Sequence, residues 1–391
     1  MDLDFPERSL LLFQNTYASL RGRIHANGYA PTSVTGAYDG MFSRDAAIQT
    51  MAHIACRDYD AARQLLTYIF HYHKTYGYDF ALHIMLEEQP PFSDMVQADA
   101  TFFLLHAWYL YAVYAPQSAQ KASFLSQTEE QAVSFANHYL TPEFYRQDWK
   151  LLRNQNLEGP RQHSYFNCYD LLTNIYASQA LHELALYFAQ KRPEQAALWA
   201  RTAQALCEGV HTNLTAPVDG RRVYMEMYAL TRNDGRRYHN IPHQKSYTGF
   251  SWVNLSVLGA GWFGADPQLL ENTYEAYQKY AYVPYHEAYL MPEHSSEYRA
   301  DGICLLREDH VLGKALAWEL IYCCDTGRTG RAAQILDFIS RYSDTMYRES
   351  WKYAGGGSDT ANQEHAGWML CAVRYACGEA AKIPTARKKN S

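Results

Sequence analysis

Two polar loops of the sequence carry isolated carboxylates that could exchange protons with a bound molecule. Glu158 stands alone in QNLEGPRQHSY, directly before a long segment rich in Tyr. Glu349 and Glu364 lie in a second polar stretch, YRESWKYAGGGSDTANQEHAGW, which contains a run of glycines. An aromatic, partly dry environment raises the pKa of a carboxyl group, whereas a polar Gly-rich loop keeps it ionised. The two loops could therefore supply a proton donor and a proton acceptor, although each glutamate could equally be a solvated loop residue.

Two further polar pairs each precede an apolar helical segment. Arg44 and Asp45 occur in TGAYDGMFSRDAAIQTM, and Gln97 and Asp99 occur in DMVQADATFFLLHAWYLY. A neighbouring donor and acceptor can hold vicinal hydroxyl groups, but helix capping alone could explain both aspartates. Trp252 begins another apolar segment, where its ring could stack on a ligand or close the end of a helix assembly.

A His- and Glu-rich loop is the place in the sequence that suggests a metal site. It reads HEAYLMPEHSSEY from His286, without the H-E-x-x-H spacing of zinc-binding helices. The chain also contains no Walker loop, no Rossmann glycine pattern after a strand and no G-x-S-x-G. We therefore expect neither a metal nor a cofactor.

Almost every periodic segment has the helical period, and strand-like alternation is rare. We predict twelve helices, over residues 6–26, 44–56, 59–74, 97–114, 127–139, 168–189, 192–213, 251–262, 267–279, 309–325, 329–341 and 363–377. Paired helices without a linker predict an all-α (α/α)6 toroid, one catalytic domain over residues 1–380, with long loops at one end. An α-solenoid is the rival, but no repeat of fixed period is present. Long loops within a compact domain are usually functional, so we expect the chemistry there.

Charge and composition restrict the partners. The 391-residue chain has a formal charge of −6, which argues against nucleic acid or an anionic membrane as the main partner. Its 33 Tyr residues offer flat apolar faces with polar tips, suited to amphipathic ring ligands. The start lacks a signal-peptide pattern and the eight Cys lack C-x-x-C spacing, so we expect a cytoplasmic protein with reduced thiols. Residues 381–391 form a basic tail that we expect to be disordered.

The order of these motifs resembles that of six-hairpin (α/α)6 glycosidases, in particular glucoamylase-like glycoside hydrolase family 15. M-F-x-R-D before a helix is similar to the W-x-R-D element of that family, and Q-x-D is similar to its Q-N-D element. Glu158, followed by an aromatic-led helix ending in A-L, resembles the layout around the family's general acid. Glu349 in E-S-W, a Gly-rich loop and a helix with the central Trp368 resemble the layout around its catalytic base. The exo-α-mannosidases of family 125 share a related first element and an E-S-F element.

The resemblance implies general acid/base catalysis, with Glu158 as the acid and Glu349 as the base. The usual Trp-Glu dipeptide of the family is Leu-Glu here, so Asp148 and Asp170 stay open as the acid, and Glu364 competes for the role of base. The resemblance implies substrate contacts for Tyr38, Arg44, Asp45, Gln97, Asp99, Trp252, Trp351 and Glu364.

By the same resemblance we expect an exo-acting glycoside hydrolase that releases a terminal hexose from an oligosaccharide, an α-glucoside or α-mannoside being favoured. The resemblance also implies inversion, which requires carboxyl groups roughly 6.5–9.5 Å apart so that water fits. The alternative is a sugar epimerase or isomerase, or a polysaccharide lyase, on the same toroid. For an epimerase, His163, His243, His286 and His365 could act as bases. A helical binding scaffold without catalysis is a third possibility.

Overall fold

Helices dominate the described part of the chain. The computed structural model describes residues 7–35, 38, 40–76, 83–84, 98–154, 157–158, 164–225, 227–232, 252–280, 283–285, 288–290, 297–298, 304–305, 310–352 and 361–376. Its helices are α1 (Glu7–Gly22), α2 (Ser43–Ala55), α3 (Tyr59–Tyr76), α4 (Ala98–Tyr114), α5 (Ala119–His138), α6 (Leu171–Phe188), α7 (Pro193–Asn213), α8 (Trp252–Gly259), α9 (Pro267–Tyr280), α10 (Gly313–Asp325), α11 (Thr329–Tyr342) and α12 (Gln363–Ala376).

The even-numbered helices form the inside of a ring. Helices α2, α4, α6, α8, α10 and α12 each contact the next in chain order, and α12 contacts α2. The remaining helices lie outside them. Helices α3, α5, α7, α9 and α11 each pack against the inner helix that precedes them, and α1 packs against α11 and α12. The predicted all-α (α/α)6 toroid is confirmed.

The two layers follow from the distribution of apolar residues. The inner helix α4, ADATFFLLHAWYLYAVY, is apolar on all sides, and most of its side chains are buried. The outer helix α11 buries only Ala332, Ile335, Leu336 and Ile339 together with two residues of the same face. A helix that is apolar all round must be enclosed, whereas one apolar stripe places a helix at the surface. The sequences of α4 and α11 therefore account for their layers.

Short strands occupy the connections. They are β1 (Met41–Phe42), β2 (His83–Ile84), β3 (Tyr145–Arg146), β4 (Leu151–Leu152), β5 (Leu157–Glu158), β6 (Ser164–Asp170), β7 (Thr215–Val218), β8 (Arg221–Tyr224), β9 (Met227–Arg232), β10 (Val283–Tyr285), β11 (Ala288–Leu290), β12 (Glu297–Tyr298), β13 (Cys304–Leu305), β14 (His310–Leu312) and β15 (Ser350–Lys352). All described pairs are antiparallel: β1-β2, β3-β4, β5-β6-β9, β7-β8, β10-β11, β12-β13 and β14-β15. Most are too short to leave an alternating pattern in the sequence.

Two helix-ending turns have the same hydrogen bonds but different residues at the left-handed position. After α2, the amide of Asp58 donates to the carbonyl of His53 at 2.8 Å, and Arg57 has φ +63°. After α10, the amide of Arg328 donates to the carbonyl of Cys323 at 2.8 Å, and Gly327 has φ +73°. This turn normally carries glycine at the left-handed residue, because a side chain is strained there. The turn after α2 therefore carries backbone strain at Arg57, whereas the turn after α10 does not, because it has glycine at that position.

The expectations for membrane spans and for cysteines concern only the described part of the chain. No described helix is both long and apolar enough to cross a membrane. Five cysteines, Cys56, Cys207, Cys323, Cys324 and Cys371, are free thiols. The expected basic tail over 381–391 lies outside the described residues.

Candidate active site

The first turns of the inner helices meet at one end of the ring. Arg44 of α2 contacts Asp99 of α4, with 2.9 Å between Nη1 and Oδ2. Arg44 also contacts Glu364 of α12, with 3.3 Å between Nε and Oε1. Lys314 of α10 reaches the same glutamate, and its Nζ lies 3.7 Å from the centre of the Trp252 ring of α8. We call Arg44, Asp99, Lys314 and Glu364 the buried ion cluster.

The buried ion cluster contains two cations and two carboxylates. Lys314 Nζ donates to both oxygens of Glu364, at 2.9 and 3.0 Å. Burial alone would raise the pKa of Glu364, but the positive charges of Arg44 and Lys314 hold it well below its usual range. Glu364 is therefore ionised and surrounded by positive charge.

Asp45 lies beside this cluster in a different electrostatic environment. It is buried in the first turn of α2. Burial raises its pKa well above the usual range, and the negative charges of Glu364 and Glu349 raise it further, while Arg44 and Lys314 act in the opposite direction. The structure thus favours a protonated Asp45 next to an ionised Glu364, and a protonated carboxyl group can donate a hydrogen bond.

Helix α6 joins the same end through a capping network. Asp170 accepts hydrogen bonds from the amide and the hydroxyl of Thr173, both at 2.7 Å, and so caps α6. Asn154 donates to the Thr173 hydroxyl at 3.1 Å and to Asp99 Oδ1 at 3.4 Å. Burial, together with the charge of Asp99, raises the pKa of Asp170 to about 7. Its carboxylate is enclosed and used to start a helix, which argues against it as the acid.

Asp148 is the other acid that the sequence leaves open. It is exposed and accepts hydrogen bonds from Nε and Nη2 of Arg146, at 2.8 and 3.0 Å. These hydrogen bonds lower its pKa. A general acid needs the opposite shift, so Asp148 is poorly suited to that role.

Glu349 is held at the same end by its backbone. Its carbonyl accepts a hydrogen bond of 2.7 Å from the amide of Gly313, the first residue of α10. A Cβ on Gly313 would lie 2.6 Å from the carbonyl oxygen of Arg348, so only glycine allows this approach. The hydroxyl of Tyr347 donates to the Gly313 carbonyl at 2.7 Å, and the amide of Tyr347 donates to Thr16. These contacts fix where the Glu349 side chain begins.

The Glu349 side chain is more accessible than that of Glu364. Its exposed fraction is 15%, against 7% for Glu364. The hydroxyl of Tyr38 donates to Glu349 Oε1 at 2.8 Å, and hydrogen bonds of this kind favour the ionised carboxylate. Tyr38 and Glu349, which the sequence places 311 positions apart, are thus in contact.

His365 lies between the two glutamates. Its Nδ1 accepts a hydrogen bond of 3.2 Å from the backbone amide of Lys314. Its Nε2 lies 4.0 Å from Glu349 Oε1 and 3.7 Å from Glu364 Oε2. Asn362 begins α12 by accepting hydrogen bonds from the amides of Glu364 and His365, at 3.0 and 3.3 Å. The first turn of α12 therefore holds both side chains in place.

The structure brings together most of the residues singled out from the sequence. Tyr38, Arg44, Asp45, Asp99, Trp252, Glu349 and Glu364 all lie at this end of the ring. Trp252 is only 4% exposed, because Lys314 Nζ lies 3.7 Å from the centre of its ring and the Trp318 ring packs 6.3 Å away, so the described contacts leave little of the ring open for a ligand to stack on.

Trp351 is buried among other aromatic side chains. Its ring is 1% exposed, packs edge-on against Phe338 of α11 and Tyr347, and donates from Nε1 to the carbonyl of Tyr342 at 3.2 Å. These contacts account for the tryptophan without a ligand, in place of the substrate contact that we expected.

Some of the residues predicted to form a site are outside the described residues, or only their backbone is described. Gln97 and the His/Glu-rich loop residues His286, Glu287, Glu293 and His294 lie outside the described residues. For Glu158 the backbone is described and the side chain is not: Glu158 pairs with Ser164 across β5 and β6, and β6 continues directly into α6. The proposed acid is thus in the strand pair that precedes an inner helix.

Lys314 is the central residue that the sequence reasoning missed. The segment GKALAWELIYCC reads as an ordinary buried helix, so Lys314 is not among the candidate residues of the sequence. A signal was present, however, because a lysine in the first turn of a buried helix opposes the helix dipole and requires an acidic partner.

Comparisons with known proteins give a match in structure and none in sequence. No family model and no curated protein matches the chain. A bacterial glucoamylase in complex with acarbose superposes with a TM-score of 0.65 at 14% identity, over 95% of this chain and 55% of that chain. A Streptococcus pneumoniae enzyme of a family of metal-independent α-mannosidases, in a non-productive complex with α-1,6-mannobiose, superposes with a TM-score of 0.65 at 13% identity, over 95% and 94%. A glycosidase with a glutamate replaced by alanine, in complex with glucose, gives 0.64 at 11% identity, over 95% and 97%.

These comparisons establish the fold. The chain has the (α/α)6 toroid of glucoamylase and α-mannosidase structures, so the resemblance seen in the order of the sequence motifs is confirmed for the fold. The chain spans about half the length of the glucoamylase but nearly the whole of the other two.

Proposed function

We propose that the chain is a glycoside hydrolase that releases a terminal hexose from an oligosaccharide by general acid/base catalysis with inversion. The observation that carries the proposal is Glu349: an accessible carboxylate, hydrogen-bonded to Tyr38, at the end of the ring where the inner helices begin. The sugar ligands of glycosidases with this fold support the same conclusion.

Glu349 is the better candidate for the base, because the carboxylate of Glu364 is already bound by Lys314 and Arg44. A general base must take a proton from water in the transition state, which requires a pKa near the working pH. Glu364 holds a lowered pKa, two hydrogen bonds from Lys314 and a contact with Arg44, so it binds protons weakly. We assign Glu364 to holding the two cations in place, and Glu349 to activating the water.

Glu158 is the proposed acid. It would protonate the departing oxygen while Glu349 takes a proton from the attacking water, and the oxocarbenium-like transition state collapses with inversion. The position of Glu158 in the strand pair leading into α6 is compatible with this role. Arg44 and Asp45, a donor of five N–H groups beside a protonated carboxyl group, are proposed to hold the hydroxyls of the terminal sugar. Gln97 and Asp99 are proposed to line the same pocket.

The charge balance at this end favours a neutral sugar. Among the described residues of the buried ion cluster, Arg44 and Lys314 are matched by Asp99 and Glu364, which supports a neutral sugar over a uronic acid or a sugar phosphate. Neutral α-glucosides and α-mannosides are therefore the proposed substrates, in agreement with the sugars bound to structures of the same fold.

The epimerase alternative is weakened at the one candidate histidine that the structure describes. Proton abstraction requires an unprotonated ring nitrogen facing the substrate. In His365, Nδ1 already accepts the Lys314 amide, so the ring proton lies on Nε2, the nitrogen on the side of Glu349. His365 is thus arranged as a donor. His163, His243 and His286 lie outside the described residues.

The test compares glutamine variants on a panel of nitrophenyl α-glycosides and α-linked disaccharides. We expect Glu349→Gln and Glu158→Gln to lower kcat/KM by about 10²- to 10⁴-fold, the usual contribution of a general acid or base. Glu208→Gln, which breaks an exposed ion pair with Lys150, is the matched control and should leave turnover unchanged.

The product anomer, followed by proton NMR, tests inversion. Turnover by the wild type that persists in both the Glu349 and the Glu158 variant would exclude the proposed mechanism. Retention of the anomeric configuration would exclude inversion while leaving hydrolysis in place.

A further inference from the structure

His365 is enclosed by groups that fix its protonation state. The ring is buried in the first turn of α12. The Lys314 amide always carries its hydrogen, so it can only donate to Nδ1, at 3.2 Å. Protonating Nδ1 would place two N–H groups against each other. The neutral ring with its hydrogen on Nε2 is therefore the form that this contact stabilises.

The fixed Nε2–H lies between two carboxylates. It is 4.0 Å from Glu349 Oε1 and 3.7 Å from Glu364 Oε2. Two carboxylates that share a site repel each other, and the repulsion makes the weaker acid harder to ionise. Glu364 is kept ionised by its cations, so the cost of repulsion falls on Glu349. A donor between the two groups reduces that cost.

We infer that His365 is a positioning residue for Glu349: its Nε2–H, oriented by the Lys314 backbone, keeps the proposed base ionised beside the Glu364 carboxylate. The inference rests on the proposed function, because it assigns Glu349 as the base. The fold comparisons do not assign this histidine. Among the described residues, the groups near Glu349 include Tyr38 before β1, Arg44 and Asp45 of α2, Lys314 of α10, and Glu364 and His365 of α12.

Two substitutions separate the two nitrogens of the ring. Gln can place an N–H donor where Nε2 lies but does not accept the Lys314 amide from the Nδ1 position. Asn can place its oxygen at the Nδ1 position and accept that amide, but it leaves no donor next to Glu349. Both residues are polar and uncharged. His365→Gln and His365→Asn therefore form a matched pair that differs in the feature under test.

The first readout is the pH dependence of kcat/KM on the best substrate. The acidic limb reports the base in the free enzyme. We expect His365→Asn to move this limb upward by about one pH unit, because losing the donor raises the pKa of Glu349. We expect His365→Gln to leave the limb within about 0.3 of the wild-type position. Equal shifts in both variants, or no shift in His365→Asn while the wild type turns over, would overturn the inference but not the proposed function.

The second readout does not depend on turnover. Histidine labelled with ¹⁵N reports the tautomer and charge of each ring through its nitrogen chemical shifts, and the signal missing in His365→Asn identifies His365. We expect the neutral Nε2–H form from pH 5 to pH 8. An imidazolium, or the Nδ1–H form, within that interval would overturn the inference whatever the kinetics. A wild type without glycosidase activity would instead remove the proposed function, and His365 would then have no base to position.

Discussion

Replacing Glu364 by glutamine should lower stability much more than an ordinary loss of an ion pair. The substitution keeps the size of the side chain and removes its charge. It removes the carboxylate that Lys314 and Arg44, both buried, share, and leaves Asp99 in contact with Arg44. Removing one partner of a buried pair typically costs about 3–5 kcal/mol, because the remaining charge is left uncompensated.

The expected shift in Tm follows from the size of the chain. Unfolding entropy is about 2.1 cal/mol/K per residue, or roughly 0.8 kcal/mol/K for 391 residues. A loss of about 3–5 kcal/mol then lowers Tm by about 4–6 °C. Differential scanning calorimetry at pH 7 measures this directly.

Two controls make the measurement specific to the buried charge. Glu208→Gln breaks a pair whose side chains are 46% and 51% exposed, and should lower the free energy of unfolding by less than about 1 kcal/mol. The double variant Lys314→Met/Glu364→Gln should lose less than the sum of the single variants, because it removes one uncompensated cation. Equal Tm values for Glu364→Gln and Glu208→Gln would refute the reasoning.

The same variant has a defined pH dependence. The folded-state pKa of Glu364 is lowered from the model-peptide value of 4.5, so its contribution to stability is complete above pH 4.5. That contribution is lost as the pH falls toward the lowered folded-state value, since the carboxylate then becomes protonated in both states. The Tm difference between the wild type and Glu364→Gln should therefore narrow below about pH 4. A difference that widens in acid would contradict the assignment.

Two further predictions concern the helix ends. The pKa of Asp170 is raised from 3.8 to about 7 in the folded state, so the folded protein binds more protons between these pH values and loses stability as the pH rises through them. The variant Asp170→Asn keeps a capping side chain but does not titrate, so its Tm relative to that of the wild type should increase from pH 5 to pH 8. A Tm difference that stays constant over this interval would exclude the raised pKa. Arg57→Gly should raise the free energy of unfolding by about 1 kcal/mol, because glycine adopts the left-handed φ without strain. Gly327→Ala, with open space around the added Cβ, should lower it by about 1 kcal/mol for the converse reason. Urea denaturation measures both changes, and changes of the same sign in the two variants would show that backbone strain is not the cause.

The helices could be predicted from the sequence because their apolar residues follow the helical period over many turns. The predicted limits of α3, α4 and α11 lie within two residues of the observed ones. The predicted start of α5, at 127, lies eight residues after the observed one, because 119–126 contains too few large apolar residues to show the helical period. Ser118 caps the helix there by accepting a hydrogen bond of 3.1 Å from the amide of Lys121. A single cap outweighed the weak apolar pattern.

The partners within the site could not be predicted in the same way. Arg44 and Asp45 were recognisable because a charged pair stands directly before an apolar helix. That Arg44 lies between Asp99 and Glu364 depends on the closure of the ring, which brings together residues separated by 320 positions. No local pattern contains that information. For Lys314 the sequence shows that an acidic partner is required, but not that the partner is Glu364 of the next inner helix.

The common direction of the inner helices explains why the acids collect at this end. The amino-terminal turn of a helix carries a partial positive charge and stabilises carboxylates. Asp45, Asp99 and Glu364 all lie in first turns of inner helices, whereas His53 lies in a last turn. Arg44 and Lys314 are exceptions, two cations in first turns of inner helices. Both are unfavourable there without Glu364, which contacts each of them. The backbone of Lys314 also orients His365, so this lysine connects the buried ion cluster to the proposed base.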